Sequence, residues 1–201
     1  MTYLKMFAVV GMLPVLAGCG SQDGGITFAP VGSGPITKSE IENVYDDLNR
    51  LGNQVDSSDV RLVRPDVAVA TYNGFVGFDL DSANSVTGRI SMVADFSSNN
   101  VTGSAGNFSV FDNTIDPTDP VENLSGTVPV SNGAITGTAM TADLNGSVVA
   151  STGTYIVNSS LSGQFADISG QSVVAGEVSG SLNNPDTSTT VINGGFLAVQ
   201  N

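Results

Sequence analysis

The sequence has no histidine and no tryptophan, and its one cysteine is Cys19. Lysine occurs at Lys5 and Lys38, so none follows residue 38. These absences remove the usual general base and the Schiff-base lysine, and lipidation of Cys19 would also remove the thiol nucleophile. A lone cysteine excludes a disulfide within the chain. We therefore expect a protein that is not an enzyme, with no cofactor and no metal site.

Positive charge is also scarce. Six Lys and Arg stand against 19 Asp and Glu, the formal net charge is −13, and no basic residue follows Arg89. A region without Lys or Arg has no electrostatic means of holding phosphates, so nucleic acid is not an expected partner. The acidity either keeps an exposed protein soluble or faces a basic partner or cations, and the sequence leaves both open.

Glycine and apolar residues are abundant. The chain has 24 Gly, 40 % hydrophobic residues and 12 % charged residues. This composition is typical of short β-strands joined by many turns, with enough apolar surface for a packed core. A length of 201 residues has room for one domain and a linker.

Residues 1–18 have the parts of a signal peptide, with Lys5 ahead of an apolar stretch from Met6 to Leu16. Leu16-Ala17-Gly18-Cys19 resembles the lipobox of bacterial lipoproteins, in which cleavage precedes the cysteine. The resemblance implies that Cys19 carries diacylglycerol and an N-linked acyl chain such as palmitate, which together hold a protein on a bilayer. Gly20, in place of aspartate, resembles lipoproteins sent to the outer membrane. The alternatives are a plain secretory signal and an uncleaved membrane helix, for which the apolar run is short.

Residues 19–36 are rich in Gly, Ser and Pro and predict a flexible tether with little to pack. Residues 37–65 predict a short amphipathic helix, from about 38 to 51, and a linker. Two overlapping capping boxes mark its start, Thr37 with Glu40 and Ser39 with Glu42, and Gly52 is the predicted stop. We expect the apolar stripe to pack on the next domain, the alternative being a docking site for a partner. The stripe comprises Ile41, Val44, Leu48 and Leu51.

Residues 66–201 repeat one theme, an alternating strand followed by a Gly, Asn, Asp or Ser turn. The connections are too short for crossover helices, so we expect an all-β, eight-stranded antiparallel up-and-down barrel filled by side chains. Few aromatics favour a soluble barrel on a lipid tether over a membrane-spanning one. An acidic loop is expected at 111–123 and a hairpin turn at Ser131-Asn132-Gly133. The predicted strands are 68–80, 88–96, 101–111, 124–130, 134–142, 153–165, 172–182 and 191–199.

Several of these strands resemble a known family. Gly163-Gln164-Phe165-Ala166, Ala175 to Leu182 and Gly194 to Ala198 are similar to the closing strands of the β-barrel lobes in the transferrin-binding protein B family. Ala94 to Gly103 resembles its Asp-Phe, turn, Val-x-Gly hairpin, and Tyr72-Asn73-Gly74 resembles its first barrel strand. The resemblance covers most of the barrel region and implies a β-barrel surface lipoprotein.

The chain departs from that family in having one barrel and no extended handle region, and Leu182 replaces an aromatic residue. The resemblance therefore implies a binding protein without implying transferrin as the ligand. We expect an outer-membrane lipoprotein, anchored through Cys19 and facing outward, whose barrel binds a macromolecular or nutrient-carrying protein partner. The loop at 111–123 is the candidate recognition element. The alternatives are a structural or shielding lipoprotein without a specific ligand, and a lipocalin-like carrier of a small molecule.

Three sets of side chains are candidate sites. Tyr72, Tyr155, Met92 and Met140 are the types that ligate haem, but on strands we expect them to be core or face residues. Glu177 alternates with valines and is expected to face solvent in a structural role. The loop at 112–122 concentrates oxygen ligands, so a weak Ca²⁺ site stays open beside an ordinary turn. Its acidic residues are Asp112, Asp116, Asp119 and Glu122.

Overall fold

The structure is a computed structural model that describes residues 34–43, 46, 60–81, 83–168 and 170–201. A helix, α1, comes first, with residues 38–43 and 46 described as helical. Within these described ranges, no helix is long and apolar enough to cross a membrane. The strands that follow are β1 (Val60–Leu62), β2 (Val69–Asp79), β3 (Asn84–Asp95), β4 (Asn100–Asp112), β5 (Asp116–Asn123), β6 (Thr127–Thr136), β7 (Ala139–Ala150), β8 (Gly153–Ile168), β9 (Gln171–Asn183) and β10 (Thr189–Gln200).

Eight of these strands close a barrel. Leaving out β1 and β5, each strand pairs antiparallel with the next one along the chain, and β10 pairs with β2 to complete the ring. The closing ladder runs from Gly194 opposite Phe78 to Gln200 opposite Tyr72. β1 pairs with β8, and β5 pairs with β4. The predicted all-β, eight-stranded up-and-down barrel preceded by a short helix is confirmed.

Alternation along each strand fills the interior. In β7, Met140, Leu144 and Val148 are buried, whereas Thr141 and Asn145 are exposed. Successive side chains of a strand point to opposite faces, so each of the eight barrel strands sends one row of apolar side chains inward. These rows merge into one continuous core. Each fully buried Leu or Val in it contributes about 1.5–3 kcal/mol relative to an exposed one.

The predicted hairpin turn at Ser131-Asn132-Gly133 is wrong. β6 continues through these residues to Thr136, and the chain reverses at 137–138. Asn132 has a φ of 50°, and the pairing register shifts between Ser131 and Ala134, so the extra residue forms a β-bulge. Gly137, with a φ of 61°, supplies the turn. Asn-Gly suits a bulge and a turn equally because both residues tolerate positive φ.

The predicted acidic loop at 111–123 is wrong over most of its length. Asp116–Asn123 forms β5, which folds back on the end of β4 after a turn at 113–115. The ladder is irregular on both sides of Phe111. Pro117 and Pro120 have no N–H to donate, and a strand that contains proline is found at an edge or a bulge.

The last residues of the predicted tether belong to the folded domain. Ile36 and Ile41 are buried against Phe111 on the outer face of the barrel. Thr37 and Glu40 form half of the predicted capping box: Glu40 Oε2 accepts the Thr37 N–H at 3.0 Å. The Thr37 hydroxyl also donates to Glu40 Oε2, at 2.8 Å, and the Glu40 N–H donates to the Thr37 carbonyl instead of the hydroxyl. Residues 34–36 are therefore not a flexible spacer, because the side chain of Ile36 has an apolar site to fill.

Other predictions for the N-terminal part are outside the described residues. They are the signal peptide at 1–18, Cys19, the tether up to residue 33, and Val44, Leu48, Leu51 and Gly52 of the helix region. From the predicted apolar stripe, Ile41 packs on the barrel as expected. Residues 60–62, assigned to a linker by the sequence, instead form β1, because Val60 packs against the outward-facing Ala166 and Ile168 of β8.

Candidate functional site

One end of the barrel, which we call the closed end, is filled by three aromatic rings. The ring centroid of Phe165 lies 5.5 Å from that of Tyr72 and 5.0 Å from that of Phe96. All three side chains are buried. The guanidinium of Arg64 lies over the Phe96 ring, 5.4 Å from its centroid, and donates to the Phe96 carbonyl oxygen. Aromatic rings therefore fill the interior of the closed end, and the Arg64 side chain covers Phe96 from outside.

The opposite end, which we call the open end, holds a cavity of about 380 Å³. It lies where β2, β7 and β9 end and where β3, β8 and β10 begin. The volume falls in the range of small-molecule sites, about 300–1,000 Å³. Its walls are buried apolar side chains, among them Phe78, Phe108, Leu124, Val148, Val157 and Leu182.

The Phe108 ring lies over the neighbouring strand because a glycine there makes room for it. A Cβ at Gly88 of β3 would lie 2.2 Å from Cδ1 of the Phe108 ring. The Phe108 ring then packs against Phe78, with 6.5 Å between centroids and a tilt of 54°. These two rings border the cavity, and its lining also includes the smaller Ala150 and Thr190.

Two carboxylates line the mouth of the cavity, and the backbone holds both. Asp81 Oδ1 accepts the N–H groups of Ala83 and Asn84, at 2.7 and 2.8 Å, in the turn between β2 and β3. Glu122 Oε1 of β5 accepts the N–H of Ser151 at 2.6 Å. The Asn84 side chain chiefly lowers the pKa of Asp81, and the Ser151 N–H lowers the pKa of Glu122. Both groups are therefore ionised at neutral pH.

No Lys or Arg within the described ranges lines the cavity. Asn84, Tyr155, Asn184 and Thr190 supply the other polar groups of its lining. Asp79 follows the cavity-lining Phe78, and burial together with the nearby Asp81 raises the pKa of Asp79 to about 6. The mouth therefore carries negative charge that no basic residue of the lining offsets.

The wall at the open end includes β5. β6 begins at Thr127, so β5 and residues 124–125 lie between β4 and β7 at this level. The Leu124 N–H donates to the Phe108 carbonyl at 2.8 Å, and Ser125 exchanges two backbone hydrogen bonds with Val149. The bond from Ser151 to Glu122 and the pair between Ser125 and Val149 join β5 and residues 124–125 to the end of β7, by separate bonds rather than by a continuous ladder.

Residues 34–41, which we call the brace, hold the outer face of the barrel near this wall. Arg89 of β3 is 8 % exposed, and its Nη2 donates to both carboxylate oxygens of Glu40 at 2.8 and 2.9 Å. Its Nε donates to the Gly34 carbonyl at 2.7 Å. Burial alone would raise the pKa of Glu40, but the Thr37 N–H and the Arg89 side chain outweigh it and lower that pKa.

A second contact ties the brace to β5. Lys38 Nζ lies 2.5 Å from Asp116 Oδ2, and both side chains are substantially exposed. The lysine lowers the pKa of Asp116 well below its usual range, with the hydroxyl and N–H of Thr118 adding to the effect. Lys38 is therefore engaged on the outer face of the barrel and is not part of the cavity lining.

The structure disperses the predicted haem-type ligands. Tyr72, Met92 and Met140 are buried in the core, and the Tyr72 hydroxyl lies 3.0 Å from Ser172 Oγ. Tyr155 lines the cavity at the other end of the barrel. These side chains do not form one ligand set.

Two of the acidic residues at 112–122, Asp112 and Asp116, are hydrogen-bonded within their own turns. Asp112 Oδ1 accepts the N–H and the hydroxyl of Thr114, and Asp116 Oδ1 accepts those of Thr118. In the part of the chain that the structure describes, no group of three or more acidic, His or Cys side chains is placed to hold a metal ion. Glu177 is exposed on β9, as the alternation predicts.

Sequence reasoning missed the cavity and the pair formed by Arg89 and Glu40. Both join residues that are distant in the chain, so no local motif marks them. Leu182 gave a signal that could have pointed to the cavity: it stands where the resembled family has an aromatic residue, and it lines the cavity.

No protein-family model matches this sequence, and no curated protein matches it. The open end of the barrel is therefore the basis on which a function can be argued.

Proposed function

We propose that the chain is a lipid-anchored outer-membrane protein whose barrel is a non-catalytic binding module, with its site in the cavity at the open end. The ligand is a small molecule with an apolar body. Of the functions expected from the sequence, this is the carrier alternative. The observation that carries it is the 380 Å³ cavity with apolar walls and a polar mouth.

The physical support is the contrast between walls and mouth. Burying apolar ligand surface in the cavity is favourable by about 25 cal/mol per Å², and the few polar groups at the mouth can orient the ligand. Because aromatic rings fill the closed end, the ligand enters and leaves through the open end. We propose binding rather than catalysis because the chain has no His and the cavity lining has no Cys or Lys.

Filling the cavity tests this proposal. We expect 1-decanol to bind the whole chain carrying C19S, in which no acyl group competes, when titrated calorimetrically, and L182F to weaken binding by about tenfold, as excluding one or two methylenes does. The matched control is V191F, which adds an aromatic ring to an exposed side chain on the outside of β10. If L182F binds 1-decanol as tightly as the parent and V191F do, the cavity is not the site.

A protein partner is the second candidate, favoured by the hairpin of β4 and β5. Ile115 and Val121 are 81 % and 60 % exposed on it, beside the mouth of the cavity. A photo-crosslinking residue at position 115 should give one defined adduct in intact cells. The same residue at position 93, on the outside of β3, should not. Equal adducts from both positions would contradict a partner specific to the hairpin.

Anchoring through Cys19 is tested separately, by protease shaving and antibody labelling of intact cells. We expect the parent to be membrane-bound and accessible from outside, and C19A to be lost from the membrane. A parent protein that stays shielded in intact cells would place its ligand in the periplasm instead.

A further inference from the structure

The charge at the open end narrows the class of ligand. We infer that the cavity selects an amphiphile with a cationic head group that donates hydrogen bonds, such as a primary ammonium on an apolar tail, over a neutral or anionic one. This rests on the proposed function, because it assumes that the cavity is the binding site. The carboxylates of Asp81 and Glu122 and the amide groups of Asn84 and Asn184 would surround the head group.

The polar groups of the mouth come from three separate parts of the fold. Asp81 lies in the turn between β2 and β3, and Asn84 is the first residue of β3; Glu122 belongs to β5, and Asn184 to the turn between β9 and β10. The buried Phe108 and Leu182 are part of the apolar walls. A tail among the apolar side chains therefore places its head group among carboxylates and amides.

Both carboxylates are held in position before a ligand arrives. Asp81 is fixed by N–H groups of its own turn, and Glu122 by the Ser151 N–H. A carboxylate can accept about four hydrogen bonds, so Glu122 keeps acceptor capacity toward a ligand. Hydrogen bonds between an ammonium and a carboxylate are about twice as strong as those between neutral groups.

An anionic amphiphile finds no counter-ion at the mouth. The basic residues in the described part of the chain lie elsewhere: Lys38 pairs with Asp116, Arg89 pairs with Glu40, and Arg61 and Arg64 lie at the closed end. A carboxylate head group would lie beside Asp81 and Glu122, and like charges at short range repel.

The test uses three probes that share a ten-carbon chain: decylammonium, 1-decanol and decanoate. The protein is the whole chain carrying C19S, so that no acyl group of its own competes. By calorimetry at pH 7 we expect decylammonium to bind about tenfold more tightly than 1-decanol, as for a charge-assisted hydrogen bond, and decanoate to bind most weakly. Added salt should weaken decylammonium binding and leave 1-decanol binding unchanged.

Variants test which carboxylates cause the preference for decylammonium over 1-decanol. E122Q keeps the length of the side chain and an oxygen that can accept the Ser151 N–H, so the fold should be retained. We expect it to lower the preference for decylammonium over 1-decanol severalfold, and D81N with E122Q to bring the two probes close to equal affinity. The control is E177Q, which removes one negative charge from the outer face of β9 and should leave the preference unchanged.

The outcomes separate the two proposals. If 1-decanol binds the parent but decylammonium binds no more tightly, or if E122Q and E177Q behave alike, the cationic selectivity is overturned while the cavity remains the binding site. If none of the three probes binds the parent, the proposed carrier function itself is overturned.

Discussion

The closed and open ends of the barrel are filled differently. At the closed end, Tyr72, Phe96 and Phe165 meet ring to ring, and Arg64 covers them from outside. At the open end the strands surround a cavity instead. Protein interiors are normally packed to crystal-like density, so the unfilled space at the open end is a property of the side chains there.

The two ends also differ in how the wall is supported. The closed end is stabilised from within by its rings, whereas the wall at the open end includes an irregular strand, β5, joined to β7 by separate hydrogen bonds. The brace supplies support from outside, through Glu40 on Arg89 and Lys38 on Asp116. The barrel therefore accommodates a cavity at one end because the supporting contacts are concentrated at the closed end and on the outer face.

Truncating one aromatic ring at each end tests this comparison with the largest expected effect. We expect F165A to lower the free energy of unfolding by about 3–5 kcal/mol, since it removes the ring that contacts both Tyr72 and Phe96. F78A should cost at least about 1 kcal/mol less, because Phe78 already borders unfilled space and loses fewer contacts. Urea denaturation measures both. A larger loss for F78A would show that the open end is the better packed of the two.

Removing a charge from the brace tests whether the brace stabilises the barrel near the open end. We expect E40Q to lower the free energy of unfolding by about 1–3 kcal/mol, because Arg89 is nearly buried and would lose its charged partner. E42Q is the matched control on the same helix, and it should change stability by less than about 0.5 kcal/mol because Glu42 is exposed. Equal effects of the two substitutions would mean that the brace contributes nothing through this pair.

The alternation of apolar residues was enough to predict the barrel, because each strand buries one face and the sheet has short connections. The turns were harder. Asn132-Gly133 and Gly137 lie close together in β6 and its turn, both allow positive φ, and the pairing with β7 decides which of them reverses the chain. β5 was missed because its prolines and acidic residues are typical of a loop.

The site was less predictable than the fold. A cavity depends on how far side chains from many strands reach, as with Phe108 opposite Gly88. The ion pair of the brace joins Glu40 to Arg89 across 49 positions of sequence, and nothing local in either segment predicts the other. The sequence showed the negative charge of the mouth only as total acidity, because the fold brings Asp81 and Glu122, which are distant in sequence, to the lining of one cavity.

The smallest predicted effect concerns two aspartates at opposite ends of the barrel, Asp79 at the end of β2 and Asp95 at the end of β3. Burial and the neighbouring Asp81 raise the pKa of Asp79 to about 6, whereas the N–H and side chain of Ser98 lower the pKa of the exposed Asp95. A raised carboxyl pKa means that the folded state binds more protons than the unfolded state between about pH 4 and pH 6. Asp79 therefore reduces stability as the pH rises through that window, and Asp95 contributes stability that is lost as the pH falls below it.

We expect D79N to raise the free energy of unfolding by about 1–2 kcal/mol at pH 7–8, with the gain vanishing below about pH 4. D95N should instead lower stability at neutral pH, and its effect should also disappear in acid. Urea denaturation from pH 3 to pH 8 measures both profiles. If D79N gave the same gain at pH 3 as at pH 8, the effect would come from packing rather than from the partial burial of the Asp79 charge.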